Sequence, residues 1–403
     1  MKQHVQAEEC LAERMRTRRS VLIRTIISMM LLGAAAASAQ IASPPRSTLN
    51  VSFAKGVSSS GSIDCHVIEG LGILVPVKVN GHETTAYLYG GPSSMDTAAM
   101  TSLGLIGGDI PSKSPGVKLE IGDLSVRDFV AANARLGISA RAGTPVPLQL
   151  GEEIFKKLAV EIDFTHQRIT FRDPAAVTKP KGAIELPVNL VSDEWVVPVA
   201  VNGAAPALFE LELGNVSGPL LVTPQYAAEH KLLEGVRTSQ RLSGRFTETV
   251  VSVPQLSFAG VKTPAAPIAL IPDSEVPPAP IAGGMGLPLL ERFDVLIDYP
   301  HNRIYATPHK DTGSASFFKD RVGMAIRRPD NASVGTVAFV ASGSPAAAAG
   351  FKVGDTITAI NGHAVGSLPL MQVLLAQYTD AGHPISFTME QGGERKLTAA
   401  DFF

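Results

Sequence analysis

Alternating apolar and polar positions dominate the chain beyond residue 70 and predict β-strands. Val75, Val77 and Val79 alternate with other residues, and Asn80-Gly81 follows them directly. Side chains that alternate in this way face opposite sides of a strand, and Asn-Gly is a preferred sequence for a two-residue hairpin turn. The pattern therefore indicates antiparallel strand hairpins.

Similar landmarks recur in the same order, which indicates two copies of one unit. The matching segments are VPVKVNG (75–81) with VPVAVNG (197–203), LEIGDLSV (119–126) with LSFAGVKT (256–263), and EIDFTHQRI (161–169) with LIDYPHNRI (296–304). We predict two antiparallel β-lobes, at 69–178 and 183–310. Pro and Gly residues between 173 and 184 predict the linker, and the Pro-rich stretch 272–281 is predicted to be a loop within the second lobe.

Beyond residue 308 the pattern changes to mixed helix and strand signals. Ser344 is a suitable N-cap before Pro345, and a Gly ends the short helix that follows. A strand is predicted at 356–360, with an Asn-Gly turn after it and a second helix further on. These signals predict a small α/β domain at 316–403, so the expected fold class is mostly β with a small α/β module.

The N-terminus has the pattern of an export signal. Arginines crowd positions 14–24, an apolar run covers 26–37, and Ala37-Ser38-Ala39 forms a small-x-small cleavage site. We predict a signal peptide at 1–39, an N-terminal segment at 40–68, and a periplasmic or secreted protein. The apolar run is short for a bilayer span, so no stable membrane span is expected after cleavage. The start (Met1 or Met15) and the export route (Sec or twin-arginine) stay open.

Composition narrows the function classes. The 403 residues are 45% hydrophobic and 18% charged, with a net charge of −2, which gives no reason to expect a nucleic-acid partner. His82-Glu83 lacks the second His of a helical zinc motif, and no P-loop or Gly-x-Ser-x-Gly motif is present. We therefore expect no cofactor and no metal. Cys65 alone remains after signal cleavage, so no intrachain disulfide is expected.

The repeated lobes resemble the aspartic peptidases of the pepsin and retropepsin type over residues 70–308. In that family an apolar strand runs into Asp-Thr-Gly in each lobe, and an apolar-apolar-Gly element supports each loop; LQLG (148–151) and MGLPLL (285–290) are similar to that element. The resemblance implies a two-lobed, acid-protease-like β-barrel fold. It also implies a cleft between the lobes that binds an extended peptide.

The catalytic motifs of that family are degenerate in this sequence. The positions that match Asp-Thr-Gly are Tyr89-Gly90-Gly91 in the first lobe and Glu212-Leu213-Gly214 in the second. Aspartic peptidases need two carboxylates about 3 Å apart that share one proton, and a phenol with an ordinary pKa near 10 is no base at neutral pH. The longer Glu side chain misplaces its oxygens by about 1 Å. We therefore predict a catalytically inactive, peptidase-like protein.

Other acidic residues have structural interpretations. Asp96 is predicted to cap a short helix, while Asp163 and Asp298 occupy equivalent turns and are expected to be structural. Asp193 and Glu194 lie in a polar connection and are expected to be solvated.

Residues 343–362 resemble the signature of bacterial PDZ domains, and the resemblance extends over about 316–402. It implies that an extended peptide adds as a strand beside a carboxylate-binding loop, with a helix lining the side-chain pocket. The residues that match the loop and the pocket are Arg321, Val322, Gly323, Met324, Ile326, Leu370 and Val373. Main-chain N–H groups of the loop are expected to hold a terminal carboxylate. Core packing is the alternative role of the pocket residues.

The sequence thus favours an exported protein that binds a peptide or a protein C-terminus in the PDZ groove and an extended peptide between the lobes. Two alternatives stay open. One is an active or residual aspartic-type endopeptidase that uses Glu212 with an unrecognised partner. The other is a scaffold in which only the PDZ groove binds.

Overall fold

The computed structural model describes residues 49–106, 111–329 and 332–403. The predicted signal peptide at 1–39 and the start of the segment 40–68 lie outside these ranges. The described chain is mostly β, as predicted. Within the described ranges, no helix is long and apolar enough to cross a membrane.

The first lobe consists of short strands with three short helices. The strands are β1 (Asn50–Phe53), β2 (Ile63–Asp64), β3 (His66–Ile68), β4 (Gly72–Val79), β5 (His82–Leu88), β6 (Ser94–Asp96), β7 (Val117–Ile121), β8 (Leu124–Phe129), β9 (Ala132–Ala134), β10 (Leu148–Leu150), β11 (Ala159–Asp163) and β12 (Arg168–Arg172). The helices are α1 (Thr97–Ser102), α2 (Ile138–Ala142) and α3 (Glu152–Phe155).

The second lobe repeats this arrangement after a 3₁₀ turn at Pro174–Ala176. Its strands are β13 (Ile184–Pro187), β14 (Asn189–Val191), β15 (Glu194–Val201), β16 (Ala207–Glu212), β17 (Leu220–Val222), β18 (Thr238–Ser243), β19 (Phe246–Val253), β20 (Leu256–Phe258), β21 (Val261–Lys262), β22 (Ala266–Leu270), β23 (Ile281–Gly286), β24 (Phe293–Asp298) and β25 (Arg303–Pro308). Its helices are α4 (Pro224–Glu229) and α5 (Leu287–Leu290).

The C-terminal module is a separate sheet with two helices. Its elements are β26 (Met324–Arg327), β27 (Gly335–Val340), α6 (Pro345–Ala348), β28 (Thr356–Ile360), β29 (His363–Ala364), α7 (Leu370–Leu374), β30 (Pro384–Met389) and β31 (Glu394–Thr398). The strand order is β26-β27-β28-β30-β31, with β29 beside β28. Strand β26 therefore lies at one end of this sheet.

One six-stranded sheet contains strands from both lobes. Its order is β13-β25-β24-β11-β12-β2, and the repeated hairpins β11–β12 and β24–β25 meet at its centre. There Val160 pairs with Ile297 and Ile162 pairs with Val295, so equivalent positions of the two repeats face each other reciprocally. This pairing joins the lobes about an approximate two-fold axis.

Aromatic packing reinforces the junction between the lobes. Phe155 follows the first-lobe loop, and its ring centroid is 5.8 Å from that of Tyr299 in the second repeated hairpin. Tyr299 in turn stacks on Trp195 at 4.1 Å with an interplanar angle of 10°. All three side chains are at most 4% exposed and belong to one hydrophobic core that continues through both lobes.

Each lobe supports its central loop in the same way. In the first lobe β10 runs parallel to β5, with Leu150 opposite Leu88. In the second lobe β23 runs parallel to β16, with Gly286 opposite Glu212. The next residue pair in the first lobe is Tyr89 and Gly151, so the strand register makes Tyr89 and Glu212 equivalent.

Gly151 and Gly286 allow the backbone of each supporting element to touch its loop. A Cβ atom on Gly151 would lie 2.2 Å from the Gly91 carbonyl oxygen, and one on Gly286 would lie 2.2 Å from the Gly218 carbonyl oxygen. Both glycines have negative φ, at −103° and −82°. Close backbone approach, and not turn geometry, therefore requires glycine at these positions.

We expect Gly151→Ala and Gly286→Ala each to lower the free energy of unfolding by about 3 kcal/mol, because backbone atoms cannot move aside as a flexible side chain can. Gly260→Ala is the control, since Gly260 has a φ of +71° but open space around its Cβ position; its expected cost is about 1 kcal/mol. Urea denaturation measures all three. Equal losses in the three variants would contradict the proposed backbone contact.

Candidate functional site

A cavity of about 870 Å³ is lined by both lobes and by the C-terminal module. Its lining includes Tyr89, Gly90 and Gly91 from the first lobe, Glu210, Glu212, Gly214, Leu221 and Leu242 from the second, and Ala325, Ile326, Arg327, Met371, Leu374, Leu375 and Tyr378 from the module. The ends of β5 and β16 and the space between β26 and α7 therefore open into one volume.

The loops that follow β5 and β16 are in contact at the wall of this cavity. A Cβ atom on Gly90 would lie 3.2 Å from the carbonyl oxygen of Leu211. The Tyr89 ring covers Gly214 so closely that a Cβ atom there would be 2.6 Å from Tyr89 Cε2. Leu213 is only 1% exposed and belongs to the core. The phenol of the first lobe thus occupies space that glycine leaves open in the second.

Three carboxyl groups cluster on the second-lobe side of the cavity. Glu210 and Glu212 alternate with the buried Phe209 and Leu211, so they share the opposite face of β16. Glu194 begins the neighbouring strand β15, and its carboxyl group lies close enough to that of Glu210 to raise the Glu210 pKa. The expectation that Glu194 is solvated is therefore wrong: it is half-buried, because it pairs with Val191 of β14 and lies beside Glu210.

Glu212 lies directly over a glycine of the supporting strand. A Cβ atom on Gly284 would be 1.9 Å from Glu212 Oε1. Gly284 of β23 therefore leaves the space that the Glu212 carboxyl group occupies. The sequence signal for this cluster is the alternation in FELEL (209–213), where two acids share a strand with large apolar residues.

Burial and mutual repulsion make these acids weak. Burial, with Glu194 adding repulsion, raises the pKa of Glu212 to about 7, although the nearby Asn215 side chain opposes the shift. Burial, then the charges of Glu212 and Glu194, raise the pKa of Glu210 well above its usual range. Burial and the nearby carboxylates also raise the pKa of the Tyr89 phenol. At neutral pH the phenol is protonated and the carboxyl cluster holds protons.

A buried ion pair fixes the second-lobe loop. Arg241 Nε donates to Glu248 Oε2 at 2.8 Å, and its NH1 donates to the Ser217 carbonyl oxygen at 2.6 Å. The Arg241 and Glu248 side chains are 11% and 7% exposed. Because breaking this buried pair would leave an uncompensated charge, Arg241 stays in place. Its bond to Ser217 attaches the loop after Glu212 to β18.

The other predicted acids have the expected structural contacts. Asp96 caps α1 by accepting a hydrogen bond from the Ala98 N–H. Asp163 accepts from the His166 N–H, and the fully buried Asp298 contacts His301 Nδ1 and accepts from Arg303 Nε. No group of three or more His, Cys, Asp or Glu residues in the described ranges is arranged to hold a metal ion.

The residues predicted to bind a peptide in the C-terminal module divide into two groups. Ile326 lines the cavity, together with its neighbours Ala325 and Arg327. The other apolar residues are buried inside the module at 9% exposure or less: Val322, Met324, Leu370 and Val373. The groove side of α7 consists instead of Met371, Leu374 and Leu375, which the sequence analysis did not identify.

These groove-side residues of α7 also pack against the first lobe. Met371 belongs to a small hydrophobic cluster with Leu71, Tyr87 and Ile138, and Leu374 and Leu375 pack on its edge. A Cβ atom on Gly70 would lie 2.7 Å from Leu375 Cδ2. The pattern of a short amphipathic helix cannot distinguish a face that packs on its own domain from one that packs on a neighbour.

The loop residues Arg321 and Gly323 have partners within the protein. Arg321 Nε donates to Asp401 Oδ1 at 2.9 Å, and its NH1 donates to the Thr379 carbonyl oxygen at 3.0 Å. The N–H groups of Val322 and Gly323 donate to Asp320 Oδ1.

Comparison with known families identifies the C-terminal module. Residues 321–401 match the family model of the PDZ domain, so the chain carries a PDZ domain there. No curated protein matches the chain.

We expect Glu212→Gln to remove a pH dependence of stability. A carboxyl with an ordinary pKa of 4.5 and a folded pKa of about 7 keeps its proton in the folded state where the unfolded state has released it. The free energy of unfolding therefore falls as pH rises from about 4.5 to about 7. At pH 8 the variant should be more stable than the wild type by about 3 kcal/mol, and at pH 4.5 nearly equal.

Urea denaturation at pH 4.5 and pH 8 measures this difference. Glu229→Gln is the control, because Glu229 is exposed on α4 and lies outside the cavity. Parallel pH profiles for Glu212→Gln and the wild type would show that Glu212 is not buried as described.

Proposed function

We propose that the protein is an exported peptide-binding protein whose PDZ groove and peptidase-like lobes form one binding site. The observation that carries this proposal is the shared cavity: Ile326 of the PDZ edge strand and the residues Tyr89 and Glu212 of the two loops line the same volume. PDZ domains bind an extended peptide as an added strand, which is also the form in which aspartic peptidases bind a chain. One extended segment therefore suits both parts.

The equivalence of Tyr89 and Glu212 supports a pseudo-peptidase of the pepsin and retropepsin type. Glu212 ends its apolar strand opposite Gly286, and Tyr89 comes directly after the Leu88–Leu150 pair, where Gly151 follows the supporting strand. Hydrolysis by this architecture needs an acid from each lobe, and here a protonated phenol faces a carboxyl that is itself half neutral near pH 7. Gly90 and Leu213 replace the Thr residues that buttress such loops. Binding without cleavage is the consistent outcome.

The proposed location is the periplasm or the medium, on the pattern of residues 1–39. Arginines precede an apolar run and a small-x-small site. A peptide-binding cavity of this size suits unfolded or extended chains, which are common clients in an export compartment.

Binding should depend on both sides of the cavity. We expect Ala325→Arg, on the PDZ edge strand, and Leu221→Arg, on β17, each to weaken binding of a fluorescein-labelled random decapeptide pool at least tenfold, because both side chains line the cavity. Val353→Arg is the matched control, since Val353 is 67% exposed on the same PDZ domain and outside the cavity. Fluorescence polarisation measures the affinities.

Loss of binding in Ala325→Arg alone would support the scaffold in which only the PDZ groove binds. Unchanged binding in both variants would reject the shared site.

A second candidate, residual hydrolysis, is favoured by the closeness of the Glu194 and Glu210 carboxyl groups, which raises the pKa of Glu210. Two carboxyl groups that share a proton are the chemical requirement of acid–base hydrolysis, and Glu212 lies two residues beyond Glu210 on β16. In this case both acids come from one lobe. The partner of Glu212 that the sequence left unidentified would then be Glu210.

We expect no cleavage when the mature protein is incubated with the decapeptide pool between pH 3 and pH 8 and the products are followed by mass spectrometry. Products that disappear in both Glu210→Gln and Glu212→Gln, but persist in Glu229→Gln, would establish the hydrolase instead.

A further inference from the structure

The loop in front of β26 is occupied by a carboxylate of the protein itself. Asp320 Oδ1 accepts hydrogen bonds from the N–H groups of Val322 at 2.9 Å and Gly323 at 2.7 Å. Asp320 is only 7% exposed. These are the main-chain donors that a PDZ domain offers to the terminal carboxylate of a ligand. A ligand carboxylate would have to displace Asp320 to reach them.

The charges around Asp320 do not favour a second anion in this loop. Arg321, the cationic side chain of the loop, is already bonded to Asp401 Oδ1 and the Thr379 carbonyl oxygen. Burial raises the pKa of Asp320 to about 6, although the two N–H groups and the charge of Arg241 oppose the shift. Asp320 is therefore mostly ionised at pH 7 and repels another carboxylate.

The edge of β26, where an added strand would pair, is not occupied by a described segment of the protein in this way. Strand β26 is at the end of its sheet, and no other strand of the described chain pairs with its outer edge. Ala325, Ile326 and Arg327 of this strand line the cavity. Main-chain hydrogen bonds to an added strand need no chain terminus.

We propose, on the basis of the proposed peptide-binding function, that the PDZ groove selects an internal extended segment over a free C-terminus. Asp320 is the specificity-determining residue: it fills the carboxylate loop and leaves the edge of β26 as the binding surface.

Two probe pools test this selectivity on the full mature chain. The first is a pool of random decapeptides labelled with fluorescein at the N-terminus and ending in a free carboxylate. The second is the same pool ending in a carboxamide, which mimics a continuing chain. We expect the wild type to bind the carboxamide pool at least as tightly as the carboxylate pool in fluorescence polarisation.

Two variants distinguish the effect of the oxygen that occupies the loop N–H groups from the effect of the negative charge on Asp320. Asp320→Ala frees both N–H groups, so we expect it to prefer the carboxylate pool by tenfold or more. Asp320→Asn keeps an oxygen in place for both hydrogen bonds, so we expect it to retain the wild-type indifference to a free carboxylate. Circular dichroism confirms that each variant is folded. If a variant does not fold, the comparison of the two pools on the wild type still tests the inference.

A tenfold preference of the wild type for the carboxylate pool would overturn this inference and leave the peptide-binding function intact. The same preference in Asp320→Asn as in Asp320→Ala would assign the selectivity to charge alone and overturn the role of the filled loop. Binding of neither pool by wild type or variants would instead reject the proposed function.

Discussion

The contact between the two central loops is the constraint on which the candidate site depends. The reciprocal pairing of β11 with β24 holds the lobes together, and Gly151 and Gly286 bring each loop onto its supporting strand. Side chains at 89 and 212 are therefore forced into the same poorly solvated space. In such a place two unpaired charges are costly, and an acid must either share its proton or lose its charge. Tyr89 satisfies this constraint as a neutral phenol, while Glu212 does so through its raised pKa.

The position of the PDZ domain follows from packing and not from the cavity itself. Helix α7 places Met371 in a hydrophobic cluster with first-lobe residues, and Arg327 of β26 donates to the Gly244 carbonyl oxygen of the β18–β19 hairpin. The domain is thus attached to both lobes at the two elements that border its groove. The groove side of the PDZ domain therefore lies against the lobes, which is why we propose one recognition unit and not independent modules.

The sequence predicted the fold better than it predicted the site. Repeated motifs identified the hairpins, and one signature identified the PDZ domain, because local signals, such as Asn-Gly turns and strand alternation, determine those elements. The closeness of Glu194 and Glu210 depends on strand pairing between distant segments, and the groove face of α7 depends on which neighbour covers it. Asp320 was missed for a different reason: an acid ahead of a glycine-containing loop has the composition of an ordinary turn, and only the hydrogen-bond geometry shows that it fills the loop.

The two central loops and the filled PDZ loop have one property in common under the proposed function. In the peptidases that the lobes resemble and in PDZ domains, such a site stabilises a charge that arrives or develops on the ligand, whether at a scissile peptide or at a terminal carboxylate. Here the protein supplies its own neutral phenol at one place and its own carboxylate at the other. The proposed function then depends on the shape of the site and the edge of a strand, which suit the main chain of an extended polypeptide. A binding site without a requirement for a terminus or a reactive bond suits many sequences at modest affinity, because main-chain hydrogen bonds are common to all of them.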